Sequence, residues 1–114
     1  MVYFKTKFLK EAEEFLASLD SKSARKLIYN IDLAEQTNDP RIFKKVQGEI
    51  WEFRSRYLGS QHRLFAFWDK SDNANILVFA THGIIKKSQK LPMKEINKAE
   101  EIRKLYFKLK EQNK

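Results

Sequence analysis

Glu52, Arg54 and Arg56 occupy every second position in the stretch Glu49 to Leu58, with Trp51, Phe53 and Tyr57 on the intervening side. A period of two places the sets on opposite faces of a strand. Unpaired charges on a buried face are costly, so the charged face must turn to solvent, to its own ion pairs or to a ligand. Arg63 lies on the next strand-like stretch, His62 to Trp68, and joins the set across a hairpin of suitable register. Beyond His82 come Lys86, Lys87, Lys90 and Lys94 with no acidic residue among them. One sheet face lined by Glu52, Arg54, Arg56, Arg63, Lys86 and Lys87 is the expected arrangement.

Such a face suits RNA on two grounds. Cations neutralise phosphates and release counterions, which gives affinity independent of sequence. Arginine forks also bind phosphate oxygens in pairs and stabilise the charge of a phosphorane-like transition state. Attack of a ribose 2′-hydroxyl on the adjacent phosphate needs a base, an acid and cations on the phosphoryl group, and requires no metal. Glu52 is a candidate base, and a lysine among neighbouring cations is a candidate acid or base. Arg56, His82, Lys90 and Lys94 are candidate RNA contacts.

Plainer roles compete for each residue. Glu52 with Arg54 or Arg63 makes an ordinary cross-strand ion pair. Trp51, Phe53, Phe65 and Phe67 read as core rather than base-stacking residues, and His62 and His82 are too isolated for a metal site and fit hydrogen-bonded structural roles. Lys98, Lys104, Lys108 and Lys110 fit the solvent face of a helix. The residues alone support a basic nucleic-acid-binding domain, with no serine, cysteine, zinc or phosphate-loop signature.

The elements that would position these side chains follow from periodicity. Met1 to Lys5 fits a short edge strand. Phe8, Ala12, Phe15, Leu16 and Leu19 then mark one face of an amphipathic helix, and Ala24, Leu27, Ile28 and Ile31 mark a second. Asp20 or Ser21 can cap the second helix, and Asn38-Asp39-Pro40 stops it. The short link between them predicts an antiparallel helical hairpin. Strands over Glu49–Leu58, His62–Trp68 and Ile76–Ala80, with short turns, predict a meander. Ile96, Ala99, Ile102, Tyr106 and Leu109 give a last helix, starting near Pro92, its apolar stripe. The fold class is α+β: two N-terminal helices packed on a small antiparallel sheet, with a C-terminal helix.

The 114 residues fit one domain, 1–114. Lys and Arg number 23 against 15 Asp and Glu, a formal +8, and small basic domains usually meet an anionic partner. There is no cysteine, so neither disulfides nor cysteine-based zinc sites arise. No apolar run is long enough for a transmembrane helix, and lysines interrupt any leader-like segment. A cytoplasmic protein with no cofactor is the simplest expectation.

Three stretches resemble the HigB-like, phage-derived host-inhibition branch of the RelE/ParE toxin superfamily. They are Gly48-Glu49-Ile50-Trp51-Glu52-Phe53-Arg54, His62-Arg63-Leu64-Phe65, and His82-Gly83-Ile84-Ile85-Lys86-Lys87-Ser88-Gln89-Lys90-Leu91-Pro92, followed by Glu95-Ile96 and Ala99. The resemblance implies a RelE-like fold and a toxin of a type II toxin–antitoxin system. Its expected activity is metal-independent cleavage of mRNA on the ribosome. Its expected partners are the ribosome, mRNA and a cognate helix-turn-helix antitoxin, with no membrane or small-molecule cofactor. Arg54 and Arg63 match the family's sheet-borne arginines, and Lys86 and Lys87 match its basic loop. Leu91 stands where the pattern has a threonine, which weakens the helix cap. Tyr106 lies on the apolar stripe and reads as structural, so the leaving-group acid stays unassigned. A ParE-like inhibitor of DNA gyrase and a non-catalytic nucleic-acid-binding module are the alternatives, because one scaffold hosts both activities.

Overall fold

A computed structural model describes residues 2–87 and 90–113. Strand β1 (Lys5–Phe8) leads into helices α1 (Lys10–Ser18) and α2 (Ser21–Thr37). Strands β2 (Phe43–Gln47), β3 (Ile50–Tyr57), β4 (Ser60–Asp69) and β5 (Leu77–Lys86) follow, and helix α3 (Met93–Gln112) closes the chain. The α+β arrangement expected from periodicity is the one observed, with the helical hairpin on one sheet face and α3 on the other.

The sheet order is β1-β5-β4-β3-β2. Strands β3, β4 and β5 form the expected antiparallel meander. Two features correct the sequence reading. The sheet is mixed, because β1 spans Lys5–Phe8 rather than Met1–Lys5 and pairs parallel with β5. A further strand, β2, pairs with β3 where no strand was expected. Met1 and the Ser88-Gln89 pair of the third motif lie outside the described residues.

Helix α2 starts as its sequence dictates: the Asp20 carboxylate accepts from the Ser23 N–H at 3.4 Å, satisfying one of the free N–H groups of the first turn. It ends at Asn38 in the left-handed conformation, with Pro40 just beyond. Helix α3 has no side-chain cap at Pro92, as Leu91 implies. Its other end is anchored instead. Asp69, buried at the end of β4, accepts from Tyr106 Oη (2.5 Å) and Lys110 Nζ (2.6 Å).

Each sheet face carries its own core. Phe53, Leu64, Ala66, Val78 and Ala80 meet Leu27, Ile31 and Ala34 of α2, and Phe43 stacks on Phe53 with ring centres 4.3 Å apart. On the opposite face, Ile50, Phe65 and Phe67 meet Ile96 and Ala99 of α3. Gly83 allows α1 to approach: a Cβ there would overlap the Phe15 ring, whose Cγ would lie 2.6 Å away.

The tight β3–β4 turn at Leu58-Gly59 has positive φ at both residues, 49° and 81°, the geometry that matches the twist of a two-residue hairpin. It sets the register of the charged strands. Tyr57 pairs with Ser60, and counting back brings Arg54 opposite Arg63.

Candidate nucleic-acid interface

Helix α3 covers only part of its sheet face. Beyond its edge the even-numbered residues of β3, namely Glu52, Arg54 and Arg56, lie beside Phe65, Arg63 and Gln61 of β4. The third strand joins through an irregularity. The β4–β5 register steps from Phe65↔His82 to Ala66↔Ala80 and leaves Thr81 without a partner, a β-bulge. The bulge reverses the pleat parity. Phe79 packs under α3, and after the extra residue His82, Ile84 and Lys86 share its face, with Lys86 opposite Gln61. Gly83 correspondingly turns to Phe15 on the other side.

Glu52 organises the cations. It is only 4 % exposed, and its Oε2 lies 3.4 Å from Arg54 Nε and 3.8 Å from Arg63 Nε. Arg63, 5 % exposed, also donates from Nη2 to Gln61 Oε1 at 2.7 Å. Burial lowers the Arg63 pKa, opposed by Glu52 and reinforced by the charges of Arg54 and Arg56. One buried carboxylate thus pairs with two arginines, and with Arg56 alongside the face keeps a positive excess. The Nε atoms of Arg54 and Arg63 are buried without a hydrogen-bond partner among the described residues.

Not every candidate joins this group. Arg54, Arg56, Arg63, Glu52 and Lys86 share one face, while Lys87 and Lys90 are exposed in the connection into α3 and Lys94 is exposed in its first turn. His82 is a correction: it is 4 % exposed beneath α3 and is not an RNA-contacting surface residue. Its Nε2 lies 3.1 Å from Glu95 Oε1 and its Nδ1 2.9 Å from the Thr81 hydroxyl. Burial lowers its pKa, helped by Lys98 and opposed by Glu95. A neutral ring with the proton on Nε2 donates to Glu95 and accepts from Thr81. Tyr106 packs against Phe67 and Phe79 on the apolar stripe of α3, and its hydroxyl donates to Asp69. Burial and the neighbouring Asp69 hold its hydroxyl protonated, well above the usual tyrosine range.

The arginine group opens into a cleft of about 250 Å³ lined by Asn30, Arg41, Ile42, Arg54, Ser55, Arg56, Gln61 and Arg63. Arg41, Asn30, Ser55 and Gln61 were not singled out from the sequence. The available signals were Asp39-Pro40-Arg41, an acid and base that can pair across a turn, and Gln61 two residues before Arg63 on the same strand face. Among the described residues, no three or more His, Asp or Glu side chains come together to hold a metal ion, and no helix is long and apolar enough to cross a membrane.

Fold and site together define an α+β arrangement with a helix-covered sheet and a partly exposed cationic sheet face. The chain belongs to the family described as phage-derived protein Gp49-like (DUF891), whose sequence model matches residues 14–104. That family is RelE- and toxin-like, in keeping with the superfamily-level resemblance of the three motifs. The matched segment runs from the middle of α1 through α2 and strands β2 to β5 into α3. No curated protein matches the chain.

Proposed function

We propose that the protein is the toxin of a type II toxin–antitoxin system, of the HigB-like branch, and that it cleaves mRNA on the ribosome. The observation that carries this reading is the direct opposition of Arg54 and Arg63, both drawn to one Glu52 carboxylate, with Arg56 and Lys86 on the same face. Convergent cations of this kind suit a phosphoryl group gaining charge. In the reaction, the ribose 2′-oxygen bonds to the adjacent phosphorus as the P–O5′ bond breaks. The 2′-hydroxyl loses its proton, and O5′ gains one. The products are a 2′,3′-cyclic phosphate and a 5′-hydroxyl end.

Within that scheme Arg54, Arg56 and Arg63 hold the non-bridging oxygens. Lys86 and Lys87 are the candidates for protonating O5′. The sequence offers Glu52 as the base, but burial and two ion pairs suit it better to fixing the arginine forks. An antitoxin with a helix-turn-helix domain would neutralise the toxin by masking the basic face. Induction of the wild type, of Arg63→Ala and of Lys86→Ala from a tightly controlled promoter tests this reading. Growth arrest with new 5′ ends inside translated mRNA, lost in both variants, is expected. Arrest with intact mRNA and DNA damage signalling would point to gyrase instead.

A further inference from the structure

The two sides of the sheet are covered unequally. Five strands spaced about 4.8 Å apart are wider than one helix of about 10 Å diameter can cover. Helices α1 and α2 share one side, and α3 lies alone on the other. Ile50, Phe65, Phe67 and Phe79 pack under α3, while β1, beyond β5, contributes no residue to that core. Register puts Lys5 beside Leu77 and Lys7 beside Phe79, so both lysines stand on the α3 side of the sheet, and both are exposed.

Helix α3 turns an apolar flank toward this strip. Lys98, Ile102, Leu105 and Leu109 follow one another at helical spacing, to one side of the inward Ile96, Ala99 and Tyr106. Lys98 fixes which side, because its Nζ lies 3.0 Å from Glu11 Oε1, just beyond β1. The opposite flank, at Asn97 and Glu100, faces the β2–β3 turn. Leu109 belongs to the stripe that periodicity assigns to the core, yet it is 49 % exposed, and Leu105 is 55 % exposed. We propose that the strip between β1 and α3 docks one acidic amphipathic helix of a partner chain. That helix lies alongside α3, with its apolar residues on Leu77, Leu105 and Leu109 and its carboxylates on Lys5 and Lys7. The proposal does not depend on the nuclease reading, since the strip lies at the opposite edge of the sheet from Arg54 and Arg56.

Charge selects the occupant. Among the described residues neither Lys5 nor Lys7 pairs with a carboxylate, so the rim of the strip is basic and suits acidic side chains. A second copy of the chain fits poorly. A two-fold contact sets a patch against itself, which would bring the lysines of two +8 chains together. A bilayer surface would reach Leu105 but not Leu77, which sits on the sheet below the helix. An added β-strand is also disfavoured, because the end of α2 already engages the main chain of this edge. Thr6 N–H donates to Glu35 Oε2 (2.8 Å), and Tyr3 N–H donates to Glu35 O (2.7 Å). A helix laid in the groove uses side chains alone and needs none of these groups.

The test measures fluorescence anisotropy of a dye-labelled synthetic helix about 18 residues long, with a leucine stripe flanked by glutamates, added to the full chain. Wild type is expected to bind it in the micromolar range. Leu105→Ser with Leu109→Ser should weaken binding at least about tenfold. Both leucines are exposed, so thermal unfolding of this variant should match wild type. Lys5→Glu with Lys7→Glu should weaken the same peptide and should strengthen binding of a matched peptide carrying lysines in place of its glutamates. Lys44→Glu, on the far edge strand β2, should change neither. No binding by the wild type, or binding that the leucine variant retains, would overturn the proposal. If the leucines are instead needed for binding vesicles of phosphatidylcholine and phosphatidylserine, the strip faces a membrane and the proposal fails. Concentration-dependent dimers in sedimentation equilibrium, lost in the leucine variant, would assign the strip to a second copy and equally overturn it.

Discussion

Arg54 and Arg63 face each other directly across the β3–β4 hairpin, and their Nε atoms lie 3.4 and 3.8 Å from the same Glu52 oxygen. Two like charges opposed on adjacent strands repel, so Glu52 is what allows them to converge. Removing its charge with Glu52→Gln leaves Arg63 buried and uncompensated. Loss of one partner from a fully buried pair costs roughly 3–5 kcal/mol, and the partial exposure of Arg54 reduces this to about 2–3 kcal/mol. Urea unfolding of wild type and variant checks the value. Unchanged stability would remove Glu52 from its organising role.

Tyr106 tests the division between structure and chemistry at the C-terminal helix. Its hydroxyl donates to Asp69, which Lys110 and Ser71 also contact. Tyr106→Phe should cost about 1–2 kcal/mol of stability through one lost charged hydrogen bond. Cellular toxicity at permissive temperature should match wild type. A folded Tyr106→Phe protein with no toxicity would place the phenol in the reaction.

The buried ionisable groups predict acid sensitivity. His62 and His82 both have pKa values lowered by burial, so the folded state prefers their neutral forms. Their contribution is fully present above the unfolded value of roughly 6.5 and declines as pH falls below it. Burial alone would raise the Asp69 pKa, but hydrogen bonds from Lys110, Ser71 and Tyr106 outweigh it and hold the carboxyl well below its usual range. Its contribution is lost below about pH 4. Thermal unfolding should therefore show falling Tm from pH 7 to 5 and a steeper fall below pH 4. Substituting both histidines should remove the first phase; a flat profile down to pH 5 would contradict it.

Two backbone positions make opposite predictions. Leu58 is 87 % exposed at φ 49°, a conformation that costs a leucine about 1 kcal/mol, so Leu58→Asn should raise stability by about that amount. Gly83→Ala should lower it by roughly 1–3 kcal/mol by pushing a methyl into Phe15. Combining Gly83→Ala with Phe15→Leu should recover part of the loss. Differential scanning calorimetry of the four proteins distinguishes these effects.

Much of this molecule is legible in its sequence because the alternation is strong. Glu52, Arg54 and Arg56 fall between Trp51, Phe53 and Tyr57, and they do share one face of β3. The second helix and its Asp20 cap follow equally from local chemistry. Strand β2, Phe-Lys-Lys-Val-Gln, was hidden because it has only two apolar positions and pairs through an irregular register beside Val46. The parallel pairing of β1 with β5 joins segments about 70 residues apart, and no local pattern reports such a contact. The Thr81 bulge is equally invisible, yet it decides that Lys86 belongs to the arginine face. His82 follows its hydrogen-bonded structural reading and not the RNA-contact one, because α3 is laid across it. The edge cleft depends on where β2 stops, which brings Arg41 beside Arg54 and Arg56.

The central claim is that the arginine face acts on a phosphodiester bond. Its most direct test supplies purified protein to translating ribosomes carrying a defined, end-labelled mRNA and follows cleavage by wild type, Arg63→Ala and Arg63→Lys. Wild type should produce discrete fragments whose downstream piece bears a 5′-hydroxyl. Arg63→Ala should slow the cut by at least about 100-fold, and Arg63→Lys should restore only part of the rate because the fork is lost. Cleavage by Arg63→Ala at the wild-type rate, or no cleavage by a wild-type protein that still arrests growth, would contradict the account.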